Sequence, residues 1–111
     1  MKISQLETTL GFKTVQGTYD DREMSCGYTS DLLSDVMANA REDCVLITIQ
    51  AHKNAVAVAT MAGIAAILVC NSRPIPDDMI EAARSEGIAV FITEKSQFIA
   101  GGEIYQALSR T

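Results

Sequence analysis

Residues 45–49 (VLITI) and 66–69 (AILV) are two unbroken apolar runs, separated by polar residues 50–54 and the small-residue segment 55–62 (AVAVATMA) with Gly63 behind it. Short continuous apolar runs bounded by turns are strands buried on both faces, and the segment between them has the length of a short helix, so residues 44–70 predict a βαβ unit. The same beat recurs downstream. Asn71 to Pro74 form a turn, and Pro76 opens a helix with Asp77 and Asp78 in its first turn and Gly87 beyond its end. Residues 88–92 are then a third buried strand. Ser96 is placed to cap a last helix, whose packed face is marked by Phe98, Gly102, Tyr105 and Leu108 or Ser109. Three strand–helix units in succession imply parallel strands joined by right-handed crossovers.

The N-terminal part is less regular. Ile3, Leu6 and Leu10 share one face of a short opening helix over residues 3–10, with Ser4 at its N-cap and Gly11 as its stop. Residues 12–15 read as a strand, and residues 17–25, with Asp20, Asp21, Arg22 and Glu23 as a solvated face, as a loop with an edge-strand excursion. Ser30 is placed to cap a helix with an apolar stripe of Leu32, Leu33, Val36, Met37 and Ala40, and Asp31 in its first turn complements the helix dipole. The fold class is therefore α/β: a single domain with a parallel three-stranded βα core and an N-terminal helix/strand layer. A length of 111 residues suits one core rather than two. The helix over 55–62 is apolar almost all round, so its outer face needs covering by the N-terminal helix or by a second subunit, which predicts a homodimer.

Charge narrows the partners. A net charge of −5 gives no Lys/Arg surplus to neutralise phosphodiester backbones or anionic headgroups, so neither nucleic acid nor a membrane surface is expected. The longest apolar run, residues 63–70, is too short to span a bilayer, and residues 1–12 have no apolar stretch of the kind a secretory signal requires. Cys26, Cys44 and Cys70 are widely spaced with no CxxC pair. Cys44 and Cys70 flank buried strands and read as small buried hydrophobes, and no chemistry is assigned to Cys26. Free thiols in turn suit a reducing compartment, the cytoplasm.

Candidate chemistry sits where ligands bind in open parallel sheets, at the carboxyl ends of the strands. The three loops there bring together the only His and several amide, hydroxyl and cationic groups at helix N-termini, whose free N–H groups favour anions. His52, Asn54, Arg73 and Ser96 are the candidate ligand-binding residues, expected to line one cleft for a small anionic ligand such as a phosphate or carboxylate. Lys13 is placed outside it. The plainer alternative makes Asn54 and Ser96 ordinary helix caps, Lys53 and Lys95 surface charges, and His52 the partner of a neighbouring carbonyl. Catalytic signatures are missing: the sequence has no GxxxxGK[ST], no GxGxxG, no pair of His residues for a metal and no nucleophile motif. No catalytic residue, metal ligand or cofactor is assigned. The only acid/base pair on offer is His52 with Glu94.

The segments GYTSDLLSDVMANA (27–40), VLITIQAHKNAVAVA (45–59) and EAARSEGIAVFITEKSQFIAGGEIYQAL (81–108) resemble the DRTGG domain family, in particular its short free-standing members related by label to HPr kinase. The resemblance implies a compact α/β regulatory or ligand-binding module, commonly dimeric, without established activity of its own. The name-giving Asp-Arg and Thr-Gly-Gly residues are replaced here by residues 50–54 (QAHKN) and 70–73 (CNSR). Three functions follow in order: a non-catalytic regulatory module binding a small anionic ligand or nucleotide, a protein-interaction module working by dimerisation or docking, and an enzyme related to HPr kinase. The first predicts a formed pocket, the second an exposed apolar surface.

Overall fold

The apolar runs become the three inner strands of a five-stranded sheet in the computed structural model, which describes residues 1–110. The elements in chain order are α1 (Gln5–Thr8), β1 (Lys13–Gln16), β2 (Cys26–Thr29), α2 (Leu33–Asn39), β3 (Cys44–Thr48), α3 (Lys53–Ala62), β4 (Ala66–Val69), α4 (Asp77–Glu86), β5 (Ala89–Ile92) and α5 (Gln97–Ser109). The strand order is β1-β5-β4-β3-β2; β2 to β5 run parallel and β1 is antiparallel to β5. The parallel core is as the sequence predicts, but it extends further. Cys26–Thr29 adds a fourth parallel strand, and β1 closes the other edge, so both N-terminal strands belong to the sheet and not to a separate layer.

Period-2 alternation gives the sheet two dry faces. Val45, Ile47, Leu68 and Phe91 point toward α1 and α5, whereas Leu46, Ile67, Val69 and Val90 point toward α2, α3 and α4. The βα crossovers lay α2, α3 and α4 side by side on one face. The chain then sends α5 to the opposite face, where it covers β2 and β3. Gly63 and Gly87 end α3 and α4 in the left-handed region, φ 73° and 68°. At Gly63 a side chain would also collide with Glu42, whose Cγ lies 2.8 Å from the Cβ position. The buried Gln16 amide is satisfied: its Nε2 donates to the Thr18 and Ile88 carbonyls and its Oε1 accepts from the Thr18 amide.

Four sequence expectations are corrected. First, α3 lies between α2 and α4, so its all-round apolarity is largely absorbed by neighbouring helices: Ala55, Val56 and Ala59 are buried, and Met61 is its one large exposed apolar side chain. Second, α5 packs through Ala100 and Ile104, with Leu108 against the same core as expected, whereas Phe98 and Tyr105 are 86% and 75% exposed. Third, Cys26 and Cys44 are directly opposed on adjacent strands and joined in a disulfide, with Cα atoms 4.4 Å apart. That pairing removes the free-thiol argument for a reducing compartment. Cys70 alone remains a buried free thiol as expected, its pKa pushed up to about 11 mainly by burial. Fourth, Asp31 precedes α2 instead of sitting in its first turn, and Ser30 Oγ accepts from the Leu32 amide ahead of the helix.

Candidate functional site

The carboxyl ends of the four parallel strands are tied into one continuous edge. Asp31, in the loop after β2, accepts at Oδ1 from Thr48 Oγ1 (3.0 Å), the Ile49 amide (2.8 Å) and Gln97 Nε2 (3.1 Å). Its carbonyl accepts from Gln50 Nε2 at 2.8 Å. Thr48 is fully buried and spends its hydroxyl twice, donating to Asp31 and accepting from the Gln50 amide. On the other side, the Asn71 and Ser72 amides donate to the Lys95 and Thr93 carbonyls, joining the loop after β4 to the loop after β5. Asn71 and Ser72 hold positive φ values of 60° and 53°, which L-residues adopt at a cost.

Beside this second junction lies a hollow of about 530 Å³. Its apolar wall includes Phe12, Ile75 and Ile80, and Lys13, Arg73 and Lys95 bring cations to it. Antiparallel pairing of Lys13 with Ile92 carries the start of β1 to the carboxyl end of β5, which is how a residue distant in sequence comes to line the same hollow as Arg73. Lys95 is already committed: its Nζ contacts both oxygens of Glu103 at 2.9 Å and lies 5.8 Å from the centre of the Phe12 ring. Lys13 and Arg73 are exposed and make no ion pair among the described residues. The hollow also contains Glu94, one carboxylate against these cations.

The four residues singled out by sequence are distributed differently from the expectation. Arg73 lines this hollow. His52 is the N-cap of α3, its Nδ1 accepting from the Asn54 amide at 3.0 Å, so His52 is the capping residue and not Asn54. Asn54 borders a groove between α3 and α4 together with Met61 and Ala82. Ser96 caps α5 by accepting from the Ile99 amide. Because α5 packs on the sheet face opposite α3, Ser96 and Asn54 open helices on different sides of the sheet. Sequence reasoning places Lys13 outside the cleft and gives Asp31 no part in it. Lys13 gave no local signal, since its position depends on strand pairing, and the Asp31 carboxylate was assigned to a helix dipole.

No cluster of His, Cys, Asp and Glu among the described residues could hold a metal ion. No helix among them is long and apolar enough to cross a membrane.

No protein-family model matches the sequence, and no curated protein matches it. Among solved structures, the chain is similar to the CBS and DRTGG domains of the regulatory region of Clostridium perfringens pyrophosphatase, complexed with the activator diadenosine tetraphosphate. The TM-score is 0.73 at 14% identity, covering 95% of this chain and 46% of that one. This chain therefore spans less than half the length of that structure, and the likeness concerns the fold: a DRTGG-like α/β architecture, as the sequence resemblance implies.

Proposed function

We propose that this protein is a non-catalytic regulatory module, residues 1–111 acting as one DRTGG-like domain akin to the free-standing HPr-kinase-related subgroup, and that it binds a small anionic ligand or nucleotide at the carboxyl edge of the sheet. The observation that carries the reading is the placing of Lys13 and Arg73, both without an ion pair among the described residues, at one hollow of a chain with net charge −5. The phosphates or carboxylates of a ligand meet Lys13 and Arg73, which Glu94 in the same hollow leaves without an ion pair, through charge-assisted bonds, while an apolar or planar part lies against Phe12, Ile75 and Ile80. A regulatory role is also supported by the similar structure, which is of a regulatory region complexed with a nucleotide activator. Of the four residues that the sequence singles out, Arg73 is the direct contact. His52, Asn54 and Ser96 act on the same edge only by shaping the starts of α3 and α5. An enzyme reading gains nothing from the geometry: His52 caps a helix, and Glu94 lies in the hollow that His52 does not line.

A thermal-shift panel of mono- and dinucleotides, inorganic phosphate and phosphorylated sugars tests this, because a ligand selective for the folded state raises the melting temperature by mass action. For any ligand found, Arg73→Ala and Lys13→Ala should each weaken binding by about tenfold or more, as loss of a charge-assisted bond requires. Lys53→Ala, on α3, should leave it unchanged. Binding insensitive to both Arg73 and Lys13 would refute the placement, and no stabilisation across the panel would refute the ligand class. A second reading, an interaction module working as a homodimer, is favoured by exposed apolar side chains on α2 and α5.

A further inference from the structure

The large apolar side chains left exposed among the described residues are Leu32, Met37, Met61, Phe98, Ile99 and Tyr105. All but Met61 lie on α5, on α2 or at the α2 N-cap, and these two helices flank the same strand, β2. One is joined to it by Tyr28 Oη donating to Asp35 Oδ2 at 2.8 Å, and the other packs on its opposite face. β2 is the outer strand, and among the described residues no strand pairs with its free side. Edge strands are ordinarily protected by Lys, Pro, a bulge or a covering loop. β2 reads Cys-Gly-Tyr-Thr and pairs with β3 in unbroken register, so it carries neither charge, Pro nor bulge. Between β2 and α5 lies a hollow of about 690 Å³, kept open by Gly27, Gly101 and Gly102. Apolar side chains thus border both faces of an open backbone edge.

We infer that two copies of this chain associate through β2, pairing the strands edge to edge about a two-fold axis, with the exposed apolar side chains of α5 and α2 buried against the partner copy. An unpaired row of N–H and C=O groups selects another strand, which neither a small ligand nor a flat surface supplies. Charge selects a second copy over a basic or acidic segment. The strand itself carries no charge, Glu103 at the margin of the hollow is paired with Lys95, and the nearby Asp35 carboxylate is already held by Tyr28 Oη and Asn39 Nδ2. A basic partner would find no free carboxylate in the hollow to pair with. Two chains of net charge −5 need such a neutral region to meet without like charges opposed. A two-fold arrangement uses the one patch twice, as isologous dimers do.

This inference rests on the interaction reading and replaces α3 by the β2 edge as the surface. Sedimentation or light scattering at micromolar concentration should give twice the 12.0 kDa chain mass. Phe98→Glu and Tyr105→Glu, at positions too exposed to disturb the fold, should each weaken the dimer by about tenfold or more, as buried aromatic anchors do. Met61→Glu should leave it intact. Amide exchange over residues 26–29 should slow as protein concentration rises. A monomer at every concentration would overturn both the interaction reading and the inference. A dimer indifferent to Phe98 and Tyr105, or one broken by Met61→Glu, would leave dimerisation standing and overturn the surface.

Discussion

One oxygen of Asp31 takes hydrogen bonds from Thr48, Ile49 and Gln97, so the starts of α2, α3 and α5 are referred to a single atom. Removing that acceptor leaves a buried hydroxyl and a half-buried amide without their charged partner. Hydrogen bonds to a charged group contribute about 1.5–3 kcal/mol, and an orphaned buried donor costs a similar amount. Asp31→Ala should therefore lower unfolding stability by roughly 2–3 kcal/mol, whereas Asp31→Asn, which keeps one acceptor oxygen, should lose less. Urea denaturation reads both. An Asp31→Ala midpoint equal to that of the native protein would mean that water replaces the carboxylate without cost. The sequence pointed to Asp31 but assigned it to the dipole of α2, because a carboxylate near a helix start serves that purpose by default. What the local pattern lacks is the approach of Gln97, 66 positions away, which only the path of α5 across the sheet produces.

Among the elements, the buried strands β3, β4 and β5 were legible because strands covered on both faces must be apolar throughout. β2 was not. Four residues, one of them Gly, carry too little alternation to register, and its partner in the sheet is revealed by the Cys26–Cys44 pairing only once the strands are aligned. The face of α5 was misjudged for a related reason. The sequence offers two stripes, and the larger side chains of Phe98 and Tyr105 look like the core. Yet the side chains of α5 buried against β2 and β3 are those of Ala100 and Ile104, and Phe98 and Tyr105 on the other stripe face outward. The disulfide makes the edge strand testable by itself. A cross-link between residues 18 apart removes about 3 kcal/mol of chain entropy from the unfolded state. Cys26→Ser should lower stability by roughly that amount under oxidising conditions. Dithiothreitol should bring the native protein down to the variant. Equal urea midpoints without reductant would show that the bond adds nothing to the edge.

At the scale of the molecule, the sequence shows where the carboxyl edge of the sheet lies, the edge proposed here for a ligand, but not which residues meet there. Arg73 and Lys13 converge because β1 folds back antiparallel to β5, and Ser96 departs because α5 crosses to the other face. The result is an acidic molecule with two unlike regions: a hollow with cations and a neutral apolar edge. Salt should act on them in opposite directions. An anion held by Lys13 and Arg73 depends on close attraction, worth about 1 kcal/mol per charge pair at 4 Å in water and weakened as the screening length falls to about 10 Å at 0.1 M and 3 Å at 1 M. Two chains of net charge −5 meeting at β2 repel through longer distances, and that repulsion is what salt removes first, while the apolar burial is untouched. Raising sodium chloride from about 0.05 to 0.5 M, a range over which the screening length falls several-fold, should therefore weaken ligand binding and tighten the dimer. Calorimetry for the first and sedimentation for the second, run on the same preparation, read the two slopes separately. A dimer that dissociates as salt rises would place charged pairs at its interface and so exclude the β2 edge. Ligand binding that strengthens with salt would exclude the Lys13–Arg73 hollow.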